Sequence, residues 1–85
     1  MSGDTKERLR AVLVRLGAPS GSVERLASGD DLIEHGLLDS VAAIGLVASV
    51  EKEFGIRVPT NEMSLANFNT LAAMERLVSR LQRDR

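Results

Sequence analysis

Between Asp39 and Glu51 the chain runs through eleven residues, Ser40 to Val50, without a charge. A helix on the surface of a small protein ordinarily keeps one face charged. A helix over this run therefore needs cover on more than one side. Its boundaries are well marked. Asp39 is a good N-cap, because its carboxylate can accept from the free N–H groups of the first turn. Gly55 is a good stop, because glycine adopts the left-handed conformation that ends helices. Ser40 to Phe54 thus reads as a helix, about 22 Å long. Ala43, Leu46, Val47, Val50 and Phe54 recur at helical spacing and form the predicted core face. Val41, Ile44, Gly45 and Ala48 fall on a second face, close to Ser40. Two readings of that face stay open. It is a docking surface that Gly45 lets a partner approach closely, or it is covered by the rest of the fold.

The flanking segments are helical as well. Asp4 followed by Glu7 predicts an N-terminus, with Asp4 as the cap and Leu9, Val12, Leu13 and Leu16 as the buried stripe. Gly17 and Pro19 end that helix. A long loop follows from Gly17 to Leu38, with Ser22 to Ser28 as a short helical turn and Leu26, Leu32, Ile33, Leu37 and Leu38 as apolar anchors. Pro59 biases Ile56 to Val58 to an extended path. Asn61 to Ala66 is predicted to hold another short turn. Thr70 caps a last helix whose stripe is Leu71, Met74, Leu77, Val78 and Leu81. No strand pattern or internal repeat competes. The expected fold is all-α: a small four-helix bundle of three main helices and a short one, with a long loop between the first two. A single domain over 1–85 is expected, ordered over about 4–81, with fraying at Met1–Gly3 and Gln82–Arg85.

Composition removes several function classes. There are no cysteines, hence no disulfide and no thiolate chemistry. Eleven basic residues nearly balance twelve acidic ones, for a net charge of −1, which gives no electrostatic case for nucleic acid. Two Phe and no Trp or Tyr provide no stacking platform for bases. The uncharged run is too short for membrane insertion, which takes about 20 apolar residues. No signal peptide is expected after Met1, and the protein is expected to be soluble, cytoplasmic and monomeric.

Few side chains offer chemistry. Ser40 sits on the first turn of the central helix, just after an acid and a long loop. As an enzyme nucleophile it lacks a base: the single histidine, His35, lies five residues upstream and reads as solvated. Asp30 and Asp31 are adjacent acids suited to capping a turn, not a cation site. Arg76, Arg80, Arg83 and Arg85 suit a solvated helix end near its negative pole. Met74 is expected in the core. No catalytic residue and no metal ligand is assigned. Ser40 is instead well placed for modification by another enzyme.

Asp31-Leu32-Ile33-Glu34-His35-Gly36-Leu37-Leu38-Asp39-Ser40-Val41 resembles the phosphopantetheine attachment motif of acyl and peptidyl carrier proteins, whose core is an acid, a serine and an apolar residue. Glu51 to Pro59 is similar to that family's exit from the second helix, and Asn67-Phe68-Asn69-Thr70-Leu71 to its approach to the last. The resemblance implies that 4'-phosphopantetheine from coenzyme A is attached at Ser40, with Asp39 recognised by a phosphopantetheinyl transferase that uses magnesium. It implies acyl or aminoacyl thioesters passed between enzymes. The uncharged second face, Val41, Ile44, Gly45 and Ala48 with Leu38, is the expected docking surface, although Gly45 and Ala48 stand where fatty-acid carriers often have an acid and a larger apolar residue. The implied partners are that transferase, a loading adenylation enzyme or acyltransferase, and downstream acyl-transferring or modifying enzymes. Leu37-Leu38-Asp39-Ser40 looks more like D-alanyl carriers and the free-standing carriers of polyketide and nonribosomal peptide pathways than like fatty-acid carriers, which keep acids through the second helix. The expected function is therefore a non-catalytic carrier for such a pathway, with a D-alanyl carrier or an unmodified interaction module as alternatives.

Overall fold

The computed structural model describes residues 2–83; the predicted fraying of Met1, Asp84 and Arg85 lies outside them. Five α-helices follow one another: α1 (Ser2–Arg15), α2 (Ser20–Glu24), α3 (Ser40–Phe54), α4 (Leu65–Phe68) and α5 (Leu71–Arg83), with a 3-10 turn at Thr60–Glu62 between α3 and α4. No strand occurs among the described residues. The all-α bundle of three long helices is as expected. The connection before α5 holds two short helical pieces, where one turn was predicted.

α1 packs on both α3 and α5, while α4 bridges α3 and α5. Leu9 and Val12 from α1, Leu46 and Val50 from α3, and Leu71, Met74 and Val78 from α5 are completely or almost completely buried. Met74 is thus core, as its place on the stripe implied. Leu16 is not: it lies past the end of α1 and is 43% exposed. α1 also starts at Ser2, ahead of the predicted cap, so Asp4 stands inside the first turn, where a carboxylate still suits the positive pole of the helix.

The predicted caps of the other long helices are in place. The Asp39 carboxylate accepts from the Ala42 N–H at 2.7 Å, and Gly55 takes a left-handed conformation, φ 64°. Thr70 Oγ1 accepts from the Ala73 N–H at 3.0 Å.

The connection between α1 and α3 is better ordered than its composition suggests. α2 occupies Ser20–Glu24, upstream of the predicted turn at Ser22 to Ser28. Arg10 holds its far end to α1 by donating to the carbonyls of Val23 (2.6 Å) and Leu26 (3.1 Å). The following stretch docks on the α4–α5 corner through Leu32 N–H to the Asn69 carbonyl (2.8 Å) and Ala72 N–H to the Ser28 carbonyl (3.0 Å). Asp31 accepts from Ile33 N–H at 2.8 Å and Asp30 from Ala27 N–H at 2.9 Å, the turn-capping role read for both. Leu26, Leu32 and Leu38 are buried and Leu37 packs at the edge of the core. Ile33 is exposed, because the turn capped by Asp31 rotates it outward.

A clasp fixes α1 against the end of α3. Arg8 Nε donates to Glu53 Oε2 at 2.9 Å, Arg15 to Glu53 Oε1 at 3.0 Å, and Arg8 also to the Glu53 carbonyl at 2.6 Å. The Arg8 guanidinium lies 4.4 Å from the centre of the Phe54 ring. The hydrogen bonds from Arg8, then those from Arg15, hold the Glu53 carboxyl below its usual range.

Candidate functional site

Ser40 is exposed at the first turn of α3. Its position follows from the two elements before it: buried Leu38 anchors the incoming chain, and Asp39 in extended conformation caps the helix. The hydroxyl therefore stands beside N–H groups at the positive end of a 15-residue helix.

A groove of about 490 Å³ opens from Ser40 and runs along α3. Its floor and near wall are Ala43, Ile44, Val47 and Ala48, with Glu51 at the far end. The opposite wall is Met63, Ser64, Leu65 and Phe68, from the chain between the 3-10 turn and α4. That wall is pinned from behind by Glu62, which accepts from Arg80 at 2.7 Å, while Asn67 donates to the Glu62 carbonyl at 2.8 Å. Val41 and Ile44 are 78% and 74% exposed, and Met63 and Leu65 about half exposed. Together they give the Ser40 end of the molecule an apolar surface.

Two residues of the predicted docking set belong elsewhere. Leu38 is buried in the core, because the chain must turn inward there to start α3. Gly45 is half-buried on the side facing α1, where a Cβ would lie 3.8 Å from Leu16 Cδ2. Val41, Ile44 and Ala48 do form an exposed strip. The far wall of the groove escaped the sequence reading. Its one signal was two apolar residues, Met63 and Leu65, in a segment read only as a turn. His35 is half-exposed and lies 3.9 Å from Asp30, in a separate small cavity with Ser22 and Arg25, so it does not line the Ser40 groove. Among the described residues no cluster of three or more His, Cys, Asp or Glu is placed to hold a metal, and no helix is long and apolar enough to cross a membrane.

The family described as "Phosphopantetheine attachment site" matches residues 8–78, which include α3 and both walls of the groove. The chain belongs to that family. It is 38% identical over 69 residues to the lincomycin biosynthesis protein LmbN of Streptomyces lincolnensis, covering 81% of this chain and 25% of that protein. It is 42% identical over 41 residues to a D-alanyl carrier protein of Leuconostoc mesenteroides, covering 48% of this chain and 53% of the relative. A D-alanyl carrier protein of Streptococcus pyogenes serotype M5 is 34% identical over 53 residues, covering 62% of this chain and 67% of the relative. The match thus spans about a quarter of LmbN and about half of the first D-alanyl carrier.

The phosphopantetheine carrier family implies a covalently attached 4'-phosphopantetheine. The geometry suits such a group: an exposed hydroxyl at the positive end of a helix, where a phosphodiester is favoured, adjoins a groove within the ~300–1,000 Å³ range that holds small organic ligands. When attached, the group supplies a thiol on which an acyl group travels as a thioester. Carriers of this family work with a phosphopantetheinyl transferase and with loading and modifying enzymes.

Proposed function

We propose that Ser40 is the attachment residue and that the chain carries acyl or aminoacyl thioesters between enzymes of a polyketide or nonribosomal peptide-type pathway. In the attachment step Ser40 Oγ forms a bond to the phosphorus next to the pantetheine of coenzyme A. The pyrophosphate bond breaks, the nucleotide half departs, and the hydroxyl proton goes to the transferase or solvent. Asp39, exposed and adjacent, is the recognition residue for that transferase. Its cap on Ala42 (2.7 Å) holds the first turn of α3, and so Ser40, in a fixed presentation.

The observation that carries this reading is the exposed Ser40 hydroxyl at the mouth of an apolar groove, with no histidine among the groove's described lining residues. A nucleophilic serine enzyme would place a base there; a carrier needs only access. Val41, Ile44 and Ala48 on α3, continued by Met63 and Leu65, form the surface that partner enzymes grip. These contacts are apolar, so affinity for partners depends weakly on salt. The likeness to a protein named for lincomycin biosynthesis supports an antibiotic-type pathway, and the likeness to D-alanyl carriers supports the alternative of a D-alanyl cargo. The carrier itself performs no chemistry on the cargo. Its contribution is a raised local concentration near successive active sites.

Incubation with coenzyme A, magnesium and a broad-specificity phosphopantetheinyl transferase, followed by intact mass, tests the assignment. Wild type should gain one phosphopantetheine and Ser40→Ala none. A folded wild type that gains nothing from two unrelated transferases would turn the reading to an unmodified interaction module.

A further inference from the structure

The groove that starts at Ser40 ends at a carboxylate. Glu51 lies eleven positions after Ser40. At ~100° and 1.5 Å per residue they lie within about 20° of each other around the α3 axis and ~16 Å apart along it. The groove residues of α3 between them are apolar, and Glu51 alone is charged among the described lining residues. Glu51 is also held still. Its Oε2 accepts from the Val58 N–H at 2.8 Å, while Oε1 has no hydrogen-bond partner among the described residues.

The span matches the attached group. From phosphorus to sulfur, phosphopantetheine is a chain of about thirteen bonds, roughly 16 Å when extended at ~1.2 Å per bond. An arm on Ser40 lying along the groove would bring its thiol end beside Glu51. There a plain alkyl tip would strip water from a carboxylate and return nothing. A carboxylated tip would add like-charge repulsion. An ammonium three bonds beyond the sulfur, as in an α-aminoacyl thioester, would instead make a charge-assisted hydrogen bond.

We infer that Glu51 is a specificity-determining residue: its Oε1 receives an ammonium group on the cargo, so the loaded arm rests in the groove when it carries an aminoacyl group and leaves it otherwise. This rests on Ser40 as the attachment residue. It narrows the proposed cargo from acyl or aminoacyl to aminoacyl.

The test uses the protein loaded enzymatically with pantetheine analogues in which a stable amide replaces the thioester, bearing alanyl, propionyl or malonyl groups. Amide chemical shifts of Met63, Ser64 and Leu65 report groove occupancy, and the side-chain carbon of Glu51 reports its titration. The alanyl arm should move the groove amides several-fold more than propionyl, with malonyl the least. It should lower the Glu51 midpoint by about half a pH unit or more; propionyl should not. Glu51→Gln keeps an acceptor for Val58 and should erase the alanyl–propionyl difference. Equal shifts from alanyl and propionyl with an unmoved Glu51 midpoint would overturn the role of Glu51 while leaving the carrier assignment intact. Groove amides that respond to no cargo would overturn the groove as the resting place of the arm. Absence of any loading would overturn the attachment at Ser40, and this inference with it.

Discussion

Leu46 and Ile44 stand two residues apart on the same uncharged helix, yet Leu46 is fully buried and Ile44 is 74% exposed. Truncating each to alanine asks which face of α3 supports the bundle. Leu46→Ala removes three carbons, about 2.4 kcal/mol at roughly 0.8 per carbon. A residual cavity of ~50 Å³ adds about 1.2 kcal/mol. The sum, about 3.6 kcal/mol, falls inside the ~2–5 kcal/mol measured for buried Leu→Ala changes. At ~0.05–0.15 kcal/mol per residue, a chain of 85 residues has roughly 4–13 kcal/mol in total, so the variant should lose a large share of its stability. Ile44→Ala removes groups already in water and should stay within about 0.5 kcal/mol. Urea unfolding followed by helical circular dichroism measures both, with trimethylamine oxide in every sample to keep a folded baseline. A cost below about 1 kcal/mol for Leu46→Ala, or a larger cost for Ile44→Ala than for Leu46→Ala, would refute this packing of α3.

Other perturbations probe separate links. Asp39→Ala should cost about 1 kcal/mol through the lost cap on Ala42 and also slow phosphopantetheine attachment; Asp39→Ser should restore stability but not attachment, seen by melting and intact mass. Ile44→Asp should leave the fold intact and weaken transfer to partner enzymes at least several-fold; unchanged single-turnover transfer would remove Ile44 from the docking surface. Gly45→Ala should stabilise by about 0.5–1 kcal/mol, since its new Cβ would meet only Leu16 at an ordinary 3.8 Å; a loss of stability would contradict that spacing. Glu53 titrates below the usual range, so its stabilisation is fully present above the ordinary carboxylate range near ~4.3 and disappears as pH falls through its lower folded-state value. Glu53→Gln should therefore flatten the acid limb of the melting temperature below about pH 4, and an unchanged limb would mean that the Arg8 and Arg15 contacts add nothing.

What was legible in the sequence was local. The caps at Asp39, Gly55 and Thr70 each act within one turn, so residue type and spacing suffice to find them. The α5 stripe repeats over three turns and was legible for the same reason. Errors fell where orientation depends on distant packing. Leu16 follows the helical spacing of α1, but the helix ends before it and only the Gly45 side of α3 lies against it, leaving it 43% exposed. Leu38 sits two residues before Ser40 in sequence, yet its side chain closes the core under α3. Gly45 belongs by sequence to the exposed face and by packing to the α1 side. The groove wall from Met63 to Phe68 has no period to read, because a 3-10 turn and a four-residue helix are too short to show one. Glu51 reads as an ordinary first charge after an apolar run. Its role depends on Val58, which returns to it only because Gly55 turns the chain back.

The long uncharged run now has a physical account in three directions. Leu46, Val50 and Phe54 face the core. Gly45 and Glu53 face α1, where Leu16, Arg8 and Arg15 meet them. Ala43, Ile44, Val47 and Ala48 line the groove. A helix with one core face could have carried charge at exposed Ile44 or Ala48 without harm to the fold, so packing alone does not explain their apolarity, whereas Val47 also packs against the core. A charge at either would stand inside the groove and cost desolvation whenever an arm lay there. The next charge after Asp39 arrives at Glu51, ~16 Å further along the helix and on the same side as Ser40. The uncharged stretch of that side therefore has the length of the arm, and the charge that closes it has the sign that meets an amine.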